Sequence, residues 1–296
     1  TGDLMVGDFE QIGAAADAGL KMTTLTNNRN PAIYLPWYQT PTGAALTDPP
    51  PWDSNVFGES GLLVRKALSK LIDRDEIVEY LLADYGTTEG ACLQSWWPHA
   101  PGFDHNCEVD EYDLDGALAL LSQAGYEDPS DLSVTMTLAV HPAFPSCGKI
   151  VEAVAQQWRN AGVDVTTEAG GWGTEVGEAS MARSANYAFC FAGPARASGA
   201  QRLGFYSRTT DRLSFTGETP EIDELINNAL ASEAVGGEFQ EEESRKLFDH
   251  AYENTLGISI AFTDFLYFAN SCLDWPALPG TVAFNIHHFE FMTYDC

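Results

Sequence analysis

The sequence predicts an α/β fold built on a mixed sheet flanked by helices. Three observations predict it. Strand-like and helix-like segments alternate along most of the chain. The block from 113 to 168 reads as helix, strand, helix, strand. Hydrophobic residues make up 45% of the 296 positions, enough to core one large domain or two ordinary ones.

The elements follow in order. Residues 1–40 read as short strands and one helix, with GLKMTTLT and AIYLPWYQT as the strands. The Pro- and Gly-rich stretch PTGAALTDPPPWDSNVFG (41–58) reads as a connector. Leu62, Leu63, Ala67, Leu68, Leu71 and Ile72 recur at helical spacing. Asp73-Arg-Asp-Glu76 then resembles a capping box that starts a second helix, with Ile77, Val78, Leu81 and Leu82 on its buried face. Asp113 is the expected N-cap of a helix whose core residues are Leu118, Leu120 and Leu121 and whose stop is Gly125. Alternation from Leu132 to Val140 predicts a half-buried strand. Ser146–Ala161 predicts a helix burying Ile150, Val151, Val154 and Trp158, ended by Gly162. GVDVTTEA is the next strand, WGTEVGEASMARS a shorter helix, and NYAFCFA (186–192) a strand with aromatics on one face. Thr219-Pro220 combines an N-cap with Pro at the first helical position, a strong helix start. A last long helix over EFQEEESRKLFDHAYENTL is expected to point Phe239, Leu247, Phe248 and Tyr252 inward, and ISIAFTDFLYFAN returns as one or two strands.

Charge excludes some partners. There are 43 Asp and Glu against 15 Lys and Arg, a net charge of −28. Nucleic acid and anionic membrane surfaces would be repelled. The acid otherwise reads as a solvated surface that keeps the protein soluble. No apolar run is long enough to span a bilayer. No initiator Met or signal peptide is present, so the chain is expected to be a processed product or a fragment.

Six cysteines occur without a CxxC or Cys/His zinc spacing. Cys92 and Cys107 bracket a loop rich in Trp, Pro and Gly, and Cys272 and Cys296 bracket the tail. A disulfide at each place would restrict the unfolded chain, and the even count favours an oxidising, exported location. No partner is assigned to Cys147 or Cys190. No metal site and no cofactor is expected. His287 and His288 are adjacent and would face opposite sides of a strand, and His99 and His105 share their loop with the Cys92–Cys107 pair.

The order of certain residues resembles a known family. Val64, Arg65, Ala67, Asp73, Arg74 and Gly86 form the first block. Tyr112, Asp113, Ala119, Leu120, Leu121, Ala124, Gly125 and Tyr126 form the second. Ala161-Gly-Val-Asp-Val165 and Pro220-Glu-Ile-Asp223 follow. In this order and spacing they resemble the extracytoplasmic solute-binding proteins of the peptide/nickel class (oligopeptide/dipeptide-binding, family 5) that serve ABC importers. The resemblance covers about residues 30 to 270. It implies a periplasmic-binding-protein-like lobe of the class II type with remnants of a second lobe. The implied divisions are a lobe I remnant and crossing over 1–50, lobe II over 51–255, and a return to lobe I over 256–296. It implies a monomeric binding protein rather than an enzyme. Such a protein is periplasmic or extracellular, with or without a tether to the membrane surface. Its partners are a small-molecule ligand, peptide or other solute, and a membrane permease.

The resemblance also directs attention to ligand-binding residues in a cleft between lobes. In peptide-binding members an Asp follows the strand matching 186–192 and grips an amino terminus. Here AGPARAS (192–198) has no acid. Arg196 and Arg202 instead offer forks for a carboxylate or phosphate, or are surface arginines. Trp37 and Tyr38 fall near the expected crossing, Trp172 follows a Gly-Gly pair, and Phe189, Phe191 and Tyr206 flank the place of the missing Asp. Each ring could stack on a flat ligand or pack in the core. Two other readings stand beside the receptor: a hydrolase using a carboxylate pair in the same cleft, and an isolated lobe without a ligand of its own.

Overall fold

The computed structural model describes residues 4–39, 48–82, 85–141, 144–210, 213–274 and 292–295. One mixed sheet organises it. Strands β1 (Leu4–Val6), β2 (Lys21–Tyr34), β3 (Gly86–Thr87), β4 (Ser133–Thr137), β5 (Asp164–Glu168), β6 (Ala188–Pro194), β7 (Ile258–Ser259) and β8 (Phe262–Ala269) all belong to it. The order is β1-β8-β2-β6-β4-β5, with β3 on β8 and β7 on β2. Pairings are antiparallel from β1 to β6 and parallel for β6–β4 and β4–β5. A separate short ladder joins β9 (Leu273–Asp274) to β10 (Thr293–Tyr294).

One strand of 14 residues, β2, takes in most of the first predicted N-terminal segment and only Ala32–Tyr34 of the second, AIYLPWYQT. Its first part pairs with β8 and its last six residues pair with β6. Between them the register against β8 shifts between Leu25 and Arg29. Asn27 sits there with φ 48°, in the left-handed region that Asn tolerates better than most side chains, and its N–H donates to Asp264 at 2.8 Å.

Three helices are short, α1 (Ile12–Asp17), α2 (Ser54–Phe57) and α7 (Ala179–Ala182), and the others form where the caps place them. Asp73, Asp113 and Thr219 each accept a hydrogen bond from a first-turn N–H, of Glu76, Gly116 and Ile222 respectively. They open α4 (Arg74–Ile77, continued by a π turn to Leu82), α5 (Leu114–Gln123) and α9 (Pro220–Ser232). Gly125 follows α5 with φ +99° and Gly162 follows α6 (Cys147–Asn160) with φ +97°, conformations that favour glycine. The helix α3 (Glu59–Lys70) packs against α5, so α5 leans on a helix more than on the strand that follows it. In α10 (Gly237–Glu253), Leu247 and Phe248 are buried as expected. Phe239 and Tyr252 are not: they are 48% and 36% exposed, because this helix has a narrow apolar stripe and they lie at its margins. The helix α8 (Gly199–Ser207) has no counterpart in the sequence reading. Its N-cap, Ser198, accepts from Gln201 N–H, but Gly199 and Gly204 dilute the helical signal.

Arg65 and Arg74, two of the residues that carry the family resemblance, act as backbone clamps. Arg65 donates to the carbonyls of Asn254 and Trp52 and to Ser54 Oγ, tying α3 to the end of α10. Arg74 donates to the carbonyls of Ser69, Asp110 and Ser259, closing the end of α3 onto β7. Their burial is sustained because nearly every N–H finds an oxygen.

The disulfide Cys92–Cys107 is present. A second one, Cys147–Cys190, staples the start of α6 to the middle of β6. Cys272 is also disulfide-bonded, while Cys296, His287 and His288 lie outside the described residues.

Candidate functional site

Strands β4, β5 and β6 are parallel, so their carboxyl ends emerge on one side of the sheet. The chain leaving β4 carries His141, the chain leaving β5 carries Trp172, and the chain leaving β6 carries Arg196 and then α8. The rim of an open parallel sheet at its carboxyl ends is the usual place for a ligand.

An aromatic cluster forms the floor. Antiparallel pairing sets Tyr34 opposite Phe189 and Ala32 opposite Phe191. Because strand side chains alternate, Phe189 and Phe191 share a face with Tyr34. The Tyr34 and Phe189 rings stack at 5.6 Å. Tyr206, from α8, and Phe215 stack at 4.8 Å, held by Phe215 N–H donating to the Tyr206 carbonyl at 2.7 Å. Trp172 stacks on Phe191 at 4.9 Å with 19° between planes, and His141 meets Trp172 edge-on at 4.8 Å. The inner five rings are buried, and Trp172 and His141 are half-buried at the margin. Burial, with Arg29 adding to it, holds the His141 imidazole down at about 4, so it is neutral near pH 7.

Cations crowd this floor. The Arg202 guanidinium lies 4.7 Å from the Tyr206 ring centroid and 5.9 Å from that of Phe191. Arg202 is 3% exposed, and its Nε and Nη2 find no hydrogen-bond partner. Burial lowers its pKa, with Tyr206 and Tyr34 opposing that shift and Arg196 adding to it. Arg196 is half-buried, and its enclosed Nε also has no partner. Arg29 stacks over Phe265 at 3.8 Å and donates to the Asn28 carbonyl. Burial lowers its pKa to about 9, and Arg202 pushes in the same direction. Beside them Tyr34 and Ser95 share a hydrogen bond between hydroxyls at 3.2 Å.

The structure therefore brings together Trp172, Phe189, Phe191, Arg196, Arg202 and Tyr206. Trp37 and Tyr38 stand apart from them. The Trp37 ring lies beneath Arg65 at 3.8 Å, and Gly217 packs against its edge. Tyr38 is buried, with its hydroxyl 3.5 Å from the Ser214 carbonyl. Sequence reasoning missed Tyr34, His141, Phe215, Arg29 and Ser95. Tyr34 lay in a segment already read as a strand, and its alternation with Ala32 was the available signal. Among the described residues no group of three or more His, Cys, Asp or Glu could hold a metal ion, and no helix is long and apolar enough to cross a membrane.

The family model for bacterial extracellular solute-binding proteins, family 5 middle, matches residues 11–199. No curated protein matches the chain. Solved structures do. DppA from Helicobacter pylori, a periplasmic binding protein associated with an ABC transporter and bound to the peptide STSA, superposes with a TM-score of 0.75 at 15% identity, over 99% of this chain and 52% of that one. NikZ from Campylobacter jejuni, bound to Ni(L-His), gives 0.72 at 17% identity over 95% and 54%. NikA from Staphylococcus aureus, bound to Ni(L-His)2, gives 0.68 at 15% identity over 94% and 54%. At these identities the likeness establishes the fold. The chain spans about half the length of these structures.

Proposed function

This chain belongs to the bacterial extracellular solute-binding proteins of family 5, and from that premise we propose that it is the solute-binding component of an ABC importer. The family consists of binding proteins and not enzymes. In this reading the chain holds a small molecule against the carboxyl ends of β4, β5 and β6 and delivers it to a membrane permease. One observation carries the proposal: three parallel strands deliver His141, Trp172 and the Arg196–Arg202 segment to one rim. Trp172 is the stacking surface there, Phe189, Phe191 and Tyr206 support it from beneath, and the arginines supply charge. Trp37 and Tyr38 stand outside this site and hold the chain that leaves β2.

The cleft's opposite wall is proposed to lie in the half of the relatives' length that this chain does not span. Lobe II then occupies 51–255, flanked by a lobe I remnant and crossing over 1–50 and a return to lobe I over 256–296. The crossing is proposed to run through the register shift between Leu25 and Arg29, where β2 changes partners. A ligand that bridges both walls favours a closed form by its greater affinity for it. The protein works outside the cytoplasm as a monomer, and a tether to the membrane surface would keep it near its permease.

A thermal-stability screen of short peptides, oligosaccharides, opine-like conjugates and metal chelates tests this. One class should raise Tm in a saturable way. Trp172→Ala should abolish that rise while leaving the unliganded Tm within a few degrees. A rise that persists in Trp172→Ala would place the site elsewhere.

A further inference from the structure

We propose that the Arg202 guanidinium, with Arg196 at the rim, receives a carboxylate of the solute, so that this chain selects anionic ligands over ammonium-bearing ones. The inference rests on the reading of the carboxyl-end rim as the solute site.

Its first support is an internal comparison. Arg29, Arg65, Arg74 and Arg202 are all at most 5% exposed. Arg65 and Arg74 spend their N–H groups on backbone carbonyls and hydroxyls. Arg202 makes no hydrogen bond or ion pair among the described residues, and two of its nitrogens are enclosed without a partner. A buried charge without hydrogen bonds is costly, and folds normally satisfy it. Arg29 also donates to the Asn28 carbonyl, so of these four guanidiniums only that of Arg202 has no hydrogen bond among the described residues.

The second support is the choice of neighbours. The groups acting electrostatically on Arg202 are Tyr206, Tyr34 and Arg196. None is a carboxylate, in a protein with 43 Asp and Glu. The 192–198 loop likewise has no acid. Acid is plentiful elsewhere and missing where an ammonium group would need it.

The third is what lies against the guanidinium. The Gly193 backbone borders the Nε–Nη2 edge, and only a residue without a side chain allows that approach. A Cβ at Gly193 would stand 2.9 Å from Nη2, 3.2 Å from Nε and 3.0 Å from Ser95 Oγ. That edge has the fork geometry that carboxylates accept bidentately, and the Ser95 hydroxyl faces the same place. The rings of Tyr206, Phe191 and Trp172 beside it favour a ligand with a flat apolar body.

The test is calorimetric titration of the full chain with benzoate, benzamide, benzylamine and phenyl phosphate, probes with one ring and different charge. Benzoate should bind about tenfold or more tighter than benzamide, with benzylamine weakest. Arg202→Gln should remove that preference and leave benzamide within about twofold. Arg196→Gln should reduce it in part. Gly193→Ala keeps every charge and should also abolish it, which covers the case in which Arg202→Gln fails to fold by near-UV circular dichroism. Equal affinity for the neutral and anionic probes would overturn the proposal, as would a benzoate preference that survives both Arg202→Gln and Gly193→Ala. Tighter binding of phenyl phosphate than benzoate would overturn the carboxylate assignment. Failure of all four probes at millimolar concentration would also overturn it. The solute-site reading is separable: it stands if a neutral or cationic molecule binds in a Trp172-dependent way, and falls if nothing of any charge does.

Discussion

Removing the Cys147–Cys190 disulfide should cost more stability than removing Cys92–Cys107, and the difference can be worked from the loops. The two bridges close 43 and 15 residues of separation. Chain-entropy loss in the unfolded state gives about 4 kcal/mol for the first and about 3 kcal/mol for the second. The difference, about 0.9 kcal/mol, depends only on the ratio of loop lengths. Packing acts in the same direction, since Cys147 and Cys190 are fully buried in the main core and Cys92 and Cys107 only partly. Double Cys→Ala variants of each pair, unfolded in urea at equal protein concentration, measure both numbers by linear extrapolation. A Cys147→Ala/Cys190→Ala loss under about 1 kcal/mol, or a smaller loss than for the other pair, would refute the loop-entropy reasoning. The unfolded state would then hold residual structure between α6 and β6.

Other outcomes follow from single sites. Gly217→Ala drives a Cβ into the Trp37 ring, which Arg65 covers at 3.8 Å, so it should lose about 1–3 kcal/mol or more in urea unfolding. Gly13→Ala, in the short helix Ile12–Asp17 with nothing within 4 Å, should be neutral or gain about 0.5–1 kcal/mol. Glu218, with a side chain 1% exposed, pairs with Arg183 Nε at 2.8 Å, yet burial outweighs that pairing and raises its pKa. Glu218→Ala should therefore cost about 3 kcal/mol by taking the carboxylate from Arg183 and from the Gln39 N–H, and Glu218→Gln clearly less, measured as the shift in urea midpoint at pH 7. The His141 pKa falls from 6.5 unfolded to about 4 folded. The unfolded chain then binds more protons between those values, so this residue's contribution is full above pH 6.5 and is lost as pH falls toward 4. Tm measured at pH 7 and pH 5 should differ less in His141→Gln than in the parent chain, and an unchanged difference would remove His141 from the pH response.

Local signals made much of the fold legible. Asp73, Asp113 and Thr219 are short polar residues placed ahead of apolar periodicity, and each caps the helix it announces. Phe189 and Phe191 could be assigned to one face because a strand has a period of two. The partners they meet could not be read in the same way. Tyr34 lies 155 positions before Phe189, and only the β2–β6 register joins them. His141 and Trp172 meet because β4 and β5 end side by side, a property of the parallel pairing and of no motif. Pairing Cys147 with Cys190 is likewise a tertiary matter, fixed by α6 lying across β6. Phe239 and Tyr252 erred the other way: helical spacing marked them apolar, and the packing of α10 left them at the edge.

The most direct measurement is native mass spectrometry of the purified chain after exposure to the solute mixture of its growth medium, followed by denaturation. A solute receptor should carry a non-covalent small-molecule adduct that disappears on denaturation and is missing from Trp172→Ala and Arg202→Gln. The released molecule should bear a carboxylate. A parent chain that shows only its polypeptide mass after every exposure, or an adduct that both variants retain, would contradict a solute site at the carboxyl ends of β4, β5 and β6.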